Sequence, residues 1–312
     1  MRGGGEPERS MLRATSLTPS PSPARGRGEL IGPPTIEIGI ILTRRLIALF
    51  RAVRLALHIG YGLTLAVAYP WFSKALQRHI LQRWSADLLH IFNVRIDIAG
   101  NDPLRKLRHG LIVTNHISWL DVFVLNAVVP MRFVAKSEVR RWPVIGWLCA
   151  RAQTLFIERG KARSAARINV QLVDLLQRGG CLAVFPEGTT TDGTSVAHFH
   201  SSLLQPAIDA GAPTHPIAIR YVDAGGAHST AAAYIDDLSF GTSMWNILNE
   251  PELHVRLIAT PPLNARDMDR RTLTRTAHER ISTALREAAS LNFHIPVTLA
   301  QHSESNLLPS TR

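Results

Sequence analysis

Residues 110–123 read GLIVTNHISWLDVF. Leu111, Ile112 and Val113 make an apolar run of the kind expected for a strand covered on both faces. Ser118, followed three positions later by Asp121, matches a helix-opening capping box. A strand that turns straight into a helix is the repeating unit of an α/β sheet. Asn115 and His116 fall between the two, at a strand end, where α/β folds carry their sites. Five residues separate His116 from Asp121, the wrong interval for one face of a helix. The two side chains can meet only if His116 precedes the helix and Asp121 sits in its first turn. Asp121 would then cap the helix and hold the imidazole together.

The same alternation runs outward from this stretch. VRIDIAG (94–100), GLIVTNH (110–116), RFVAK (132–136), TLFIER (154–159), CLAVFPE (181–187), HPIAIRY (215–221), AAAYID (231–236) and LHVRLIATP (253–261) read as strands. Helical spacing is expected over 118–129, 138–150, 162–178, 201–211 and 270–289. The prediction is an α/β fold: a mixed, mostly parallel sheet flanked by helices on both faces, spanning residues 94–290. Residues 1–35, rich in Gly, Pro, Ser and Arg, read as a disordered low-complexity leader, and 291–312 as a polar flexible tail.

Residues 36–93 are expected to form an N-terminal pair of membrane-associating helices. LALHIGYGLTLAVAYPWF (55–72) contains no Lys, Arg, Asp or Glu, and its length sits at the lower edge of what crosses a bilayer. Arg44, Arg45, Arg51 and Arg54 precede it and Lys74, Arg78 and Arg83 follow it, so charge gives no orientation bias. In SKALQRHILQRWSADLLHIF (73–92), Leu76, Ile80, Trp84 and Leu88 recur every four residues with basic residues between them. That is the pattern of an interfacial helix. Monotopic attachment explains both segments better than a single span.

With 46% apolar residues and 19% charged, the 312-residue chain is no disordered polymer. Its net charge of +11 favours anionic partners. Of nucleic acid, anionic lipid headgroups and an acidic partner protein, nucleic acid is not expected, since basic and aromatic residues are not interleaved and no zinc-finger spacing occurs; membrane lipid is the better reading. Cys149 and Cys181 are too few for a disulfide framework and suit a reducing compartment.

Three further strand ends carry chemistry. CLAVFPEGTTTDG (181–193) runs into Glu187, Gly188 and Thr189, a carboxylate followed by glycine and hydroxyls that suits a polyol or phosphate. It is no nucleotide-binding loop, since the Gly-Lys-Ser/Thr element is missing. TLFIERG (154–160) places Arg159 before a helical stretch, where a guanidinium can grip phosphate. Lys136 in FVAKSEV (133–139) occupies the equivalent end of the preceding strand.

Together these blocks resemble the 1-acyl-glycerol-3-phosphate acyltransferases and related glycerolipid acyltransferases. Asn115, His116 and Asp121 resemble the family's first block, TLFIER its second, FPEGT its third and HPIAIRY its fourth, in the same order. The resemblance covers about residues 40 to 290. It implies that His116 is a general base on the acceptor hydroxyl, that Asp121 orients its ring, that Arg159 binds the acceptor's phosphate, and that Glu187 and Gly188 line the acceptor site. Lys136 and Thr189 are further substrate-binding candidates from their strand-end positions. The chemistry agrees: an alcohol attacking a thioester needs a base, and histidine titrates near neutrality. The implied enzyme is an O-acyltransferase on the cytoplasmic face of the inner membrane, monotopic or single-span. It would move an acyl group from acyl-CoA or an acidic acyl carrier protein to a lyso-lipid, first of all 1-acyl-glycerol-3-phosphate. No metal or organic cofactor is expected.

Two positions depart from the family. Thr190 stands where many members have an Arg after FPEGT, and His200 follows Phe199 where a basic residue is common. Both remove charge near the expected phosphate site and favour another lyso-lipid, such as lyso-ornithine lipid. A rival of a different class is a metal-dependent lipid hydrolase, with His198 and His200 on one face of an extended segment.

Overall fold

The computed structural model describes residues 34–99, 104, 106–158 and 162–290. The expected tail, and all but the last two residues of the expected leader, lie outside them. Helix α1 runs from Pro34 to Ala68, and residues 34–41 contribute only its first turns. The described residues from Leu42 to Ser290 form one compact unit.

Eight strands form one sheet: β1 (Val94–Ala99), β2 (Gly110–Thr114), β3 (Arg132–Lys136), β4 (Leu155–Ile157), β5 (Cys181–Val184), β6 (Pro213–Asp223), β7 (Leu253–Ala259) and β8 (Leu263–Asn264). The order is β1-β7-β6-β2-β5-β3-β4, with β8 beside β6. All pairs are parallel except β6 with β7 and β6 with β8. The mixed, mostly parallel α/β sheet is therefore as expected.

Helices cover both faces. Side chains alternate along each strand, so Leu111 and Val113 enter the core beneath α5 (Ala162–Gln177), α6 (Gln205–Ala210) and α8 (Arg270–Ser290). Ile112 enters the opposite core, with residues of α1, α2 (Lys74–Ile91), α3 (Asp121–Val128) and α7 (Phe240–Asn249). This two-sided burial explains why the central strands read as continuous apolar runs.

Several boundaries differ from the sequence reading, each for a local reason. The stretch 138–150 splits into a 3-10 turn (Ser137–Arg141) and α4 (Ile145–Arg151) around Pro143, which cannot continue a helix. The stretch 201–211 likewise breaks before Pro206, leaving a 3-10 turn (Ser201–Leu203) and α6. Residues 231–236 are not a strand. The N–H of Tyr234 donates to Ile117 O at 2.9 Å and its carbonyl accepts from Thr190 Oγ1, so this segment closes over the end of β2 instead of joining the sheet. α7 was not anticipated. Its cap is Ser239, whose hydroxyl accepts from Thr242 N.

From α1 into the 3-10 turn that follows it (Tyr69–Trp71), Leu42–Trp71 is long and apolar enough to cross a membrane, with mean hydropathy 1.4 and only 22% of its most apolar window buried. Thirty residues of helix reach roughly 45 Å, beyond the roughly 30 Å of a hydrocarbon core. α2 is a different case. The expected stripe ends in the protein core: Leu76 is exposed, Trp84 half-buried and Leu88 buried beside Leu89, Ile91 and Phe92. Gln82 Nε2 donates to the carbonyls of Ala127 and Val128, satisfying the C-terminus of α3. Trp84 stacks on His58 of α1, and Gly62 makes room for it, since a Cβ there would lie 2.5 Å from the indole nitrogen.

Candidate active site

The C-terminal ends of β2, β5, β3 and β4 share one edge of the sheet. Val113 of β2 pairs with Val184 of β5, Ala183 of β5 with Phe133 of β3, and Lys136 of β3 with Ile157 of β4. The blocks NHISWLD, FPEGT and FVAKSEV leave the sheet at this edge and TLFIE reaches it, whereas HPIAIRY lies inside β6; the first four converge because of topology alone.

After Thr114 the chain turns sharply, and the turn is built on Asp121. Its Oδ2 accepts from Ile117 N at 2.8 Å, from Ser118 N at 3.0 Å and from His116 Nδ1 at 2.9 Å. Its Oδ1 accepts from Tyr221 Oη at 2.8 Å. Asp121 has no exposed side-chain surface, whereas His116 keeps 20% of its own. The carboxylate reaches back to the Ser118 N–H as a capping box requires. The other half is shifted. Ser118 Oγ accepts from Leu120 N, and the helix begins only at Asp121. The pair does meet in the way the sequence allowed, His116 before the helix and Asp121 in its first turn.

Because Asp121 holds Nδ1, that nitrogen carries the proton and Nε2 remains as the basic nitrogen. The ring lies flat on Phe185, with centroids 3.9 Å apart at 18°, and Phe133 stacks on Phe185 in turn. Asn115 serves the fold: its amide exchanges two hydrogen bonds with the backbone of Ile219, at 2.9 and 2.8 Å, extending the β2–β6 pairing past the strand.

Glu187 is buried, and both its oxygens face the chain. Oε1 accepts from His116 N at 2.7 Å and Oε2 from Ala197 N at 2.8 Å. Burial pushes its pKa up to about 7; the two N–H donors pull against that shift, and the Asp121 charge adds to it. Gly188 follows at φ +66°, the left-handed region glycine enters without strain. Thr189 is exposed beside it. Thr191 N donates to His116 O, which ties the two loops together.

Lys136 is exposed at the end of β3. Arg159 lies outside the described residues. Cys181 opens β5 at the far edge of the sheet, where burial pushes its thiol up to about 11. Burial also raises Cys149, in α4. Neither has the features of an activated thiol. The rings of His198 and His200 stand 5.9 Å apart, and among the described residues no three His, Cys, Asp or Glu side chains converge as a metal site.

The sequence pattern of the family described as Acyltransferase matches residues 95–220. The lyso-ornithine lipid O-acyltransferase of Pseudomonas aeruginosa is 34% identical over 251 residues, which cover 77% of this chain and 94% of that protein. The chain belongs to the acyltransferase family. A second relative, the 1-acyl-sn-glycerol-3-phosphate acyltransferase of Neisseria meningitidis, is 39% identical over 147 residues, covering 47% of this chain and 57% of that protein. The crystal structure of the 1-acyl-sn-glycerophosphate (LPA) acyltransferase, PlsC, from Thermotoga maritima aligns with a TM-score of 0.60 at 19% identity, over 80% of this chain and 97% of that one. At that identity the likeness is one of fold.

In this acyltransferase two side chains at the site escaped the sequence reading. Tyr221 holds the second oxygen of Asp121, and Phe185 floors the imidazole. Both stood inside quoted motifs. For Tyr221 a signal existed, since alternation puts it on the same side of β6 as Ile217 and Ile219, the side facing α3.

Proposed function

We propose that the enzyme transfers an acyl group from acyl-CoA or acyl carrier protein to the free hydroxyl of a lyso-lipid, with His116 as the general base. The observation that carries this is His116 Nδ1 held at 2.9 Å by a buried Asp121 that accepts three further hydrogen bonds. Nε2 takes the proton from the acceptor hydroxyl as its oxygen attacks the thioester carbon. The new C–O ester bond forms, the C–S bond breaks, and the imidazolium returns the proton to the departing thiolate. Asp121 stabilises the imidazolium between those steps. This is the logic of a catalytic triad with the lipid's hydroxyl in place of a serine. The raised thiols of Cys149 and Cys181 support direct transfer without an acyl-enzyme.

For the acceptor, lyso-ornithine lipid is favoured over the 1-acyl-glycerol-3-phosphate suggested by the motif blocks. The relative matched along nearly its whole length is named for lyso-ornithine lipid, while the Neisseria relative is matched over little more than half of its own. Thr190, where an arginine is common in the family, spends its hydroxyl on the Tyr234 carbonyl and so holds a loop without offering charge. Lys136, Arg159, Gly188 and Thr189 are proposed to line the acceptor site. Glu187 is proposed to act on it indirectly, by fixing the His116 backbone. The apolar stretch Leu42–Trp71 would seat the enzyme on the cytoplasmic face of the inner membrane, where a thioester donor arrives from water.

The test is product analysis with detergent-purified enzyme, one lyso-lipid at a time, measuring free thiol and new ester together by mass spectrometry. Equal amounts of thiol and ester are expected. Thiol release with free fatty acid and no ester would mean hydrolysis, and would overturn the reading.

A further inference from the structure

The segment between β3 and β4 carries an exposed feature that the transfer chemistry does not use. Residues 140–147 read RRWPVIGW, and Trp142, Val144 and Trp147 are 36%, 45% and 38% exposed. At its tip, Pro143 O accepts from Ile145 N in a γ-turn that forces Val144 to φ +62° and ψ −56°. A β-branched residue rarely adopts that conformation, and such strain persists only where the surroundings impose it. Here they do. Gly146 N donates to Trp142 O, and the backbone of Gly146 packs so closely on the Arg140 carbonyl that a Cβ would lie 2.3 Å from that oxygen. The turn is a stiff knob displaying a valine between two indoles.

Its charge is one-sided. Across residues 137–151 the only carboxylate is Glu138, against Arg140, Arg141 and Arg151. Arg151 lies over the Trp147 ring at 5.2 Å and Arg140 over Phe156 at 5.7 Å. Exposed tryptophans beside arginines are the composition of a protein surface at the lipid headgroup level.

A chain of ring contacts links the knob to α1. Trp142 lies 5.9 Å from Phe240, Phe240 4.9 Å from Trp119, and Trp119 6.1 Å from Phe123. Phe123 is 5.7 Å from Trp84, which stacks on His58 of α1 at 4.6 Å. The exposed Trp245 of α7 and the exposed leucines of α1 lie on elements of the same face. We infer that Trp142, Val144 and Trp147, flanked by Arg140 and Arg141, form a second membrane contact that docks on an anionic leaflet beside α1. The knob follows directly from Lys136 at the end of β3. Docking there brings the strand edge that carries His116 down to the bilayer, within reach of a lipid hydroxyl. The inference rests on the membrane association of α1 and is independent of which lyso-lipid is acylated.

The test uses the full chain with Cys149→Ala and Cys181→Ala, labelled with an environment-sensitive fluorophore at Val144→Cys. A second sample carries the label at Val170→Cys, on α5 across the sheet, where the side chain is 68% exposed. Both are reconstituted into vesicles of phosphatidylcholine with phosphatidylglycerol. The label at 144 is expected to emit at shorter wavelength, to be shielded from aqueous iodide, and to be quenched several-fold more than the label at 170 by lipids spin-labelled near the headgroup. Adding Arg140→Ala and Arg141→Ala should weaken that quenching in the anionic vesicles and leave it unchanged in pure phosphatidylcholine. Equal quenching and equal iodide access at 144 and 170 would overturn the inference. Insensitivity of the arginine variant to lipid charge would overturn its electrostatic part.

Discussion

Two halves of one sheet edge are built in opposite ways. At the ends of β2 and β5 nearly every polar atom is committed: Asp121 accepts four hydrogen bonds, Glu187 two, and Asn115 pairs with the β6 backbone. At the ends of β3 and β4, Lys136 and the Trp142 knob stand in the open. The difference suits a division of labour. A proton-transfer pair needs fixed geometry, which burial and redundant donors supply. A surface that meets a lipid headgroup needs access, and is completed by the ligand or the membrane. Damage to the closed half should therefore lower turnover, with stability lost as well where a buried partner is removed, and damage to the open half should weaken binding.

The largest effect is expected at His116. His116→Ala should cut kcat/KM by about 10³-fold or more while leaving the thermal midpoint near that of wild type, since general-base catalysis supplies roughly 10²–10⁴. Next comes Asp121→Asn, which swaps an acceptor for a donor opposite N–H groups. Turnover should fall by about 10²-fold or more, and urea denaturation should reveal a loss of roughly 2 kcal/mol.

Glu187 sharpens the comparison through pH. Its folded pKa of about 7 lies above the ordinary glutamate value of 4.5, so over that window the unfolded chain has already released a proton the folded one keeps. Stability should fall as pH rises from 4.5 towards 7, by roughly 3 kcal/mol at most. Thermal unfolding at about pH 5 and about pH 8 should record a decline in wild type that is smaller in Glu187→Gln. If the two decline equally, Glu187 is not the titrating group. Tyr221→Phe removes one donor from Asp121, and should cost about 1–2 kcal/mol and roughly tenfold in turnover. Smallest is Lys136→Ala, expected to raise KM for the lyso-lipid a few-fold with kcat unchanged. A fall in kcat alone would blur the division between the halves.

The closed half was the more legible in the sequence. Apolar runs ending in Asn-His and Phe-Pro-Glu pointed to parallel strands with candidate site residues at one edge, and His116 and Asp121 stood out by residue type. What stayed hidden depends on long-range pairing. Nothing local says that Tyr221, one hundred residues from Asp121, would bond to it. Residues 231–236 have the composition of a strand, yet their hydrogen bonds go to Ile117 and Thr190 across the site. The periodic stripe of α2 was plain, but periodicity marks an apolar face without saying whether lipid or protein covers it. For Leu88 it is protein.

The most direct measurement is a competition in which purified enzyme receives one acyl thioester together with equal amounts of lyso-ornithine lipid and 1-acyl-glycerol-3-phosphate in mixed micelles, with both products quantified by mass spectrometry. Acylated ornithine lipid should predominate by about tenfold or more, the discrimination expected when a site lacks the charges that one headgroup needs. Predominant phosphatidic acid would contradict it, and would mean that the phosphate is held well without basic residues at positions 190 and 200.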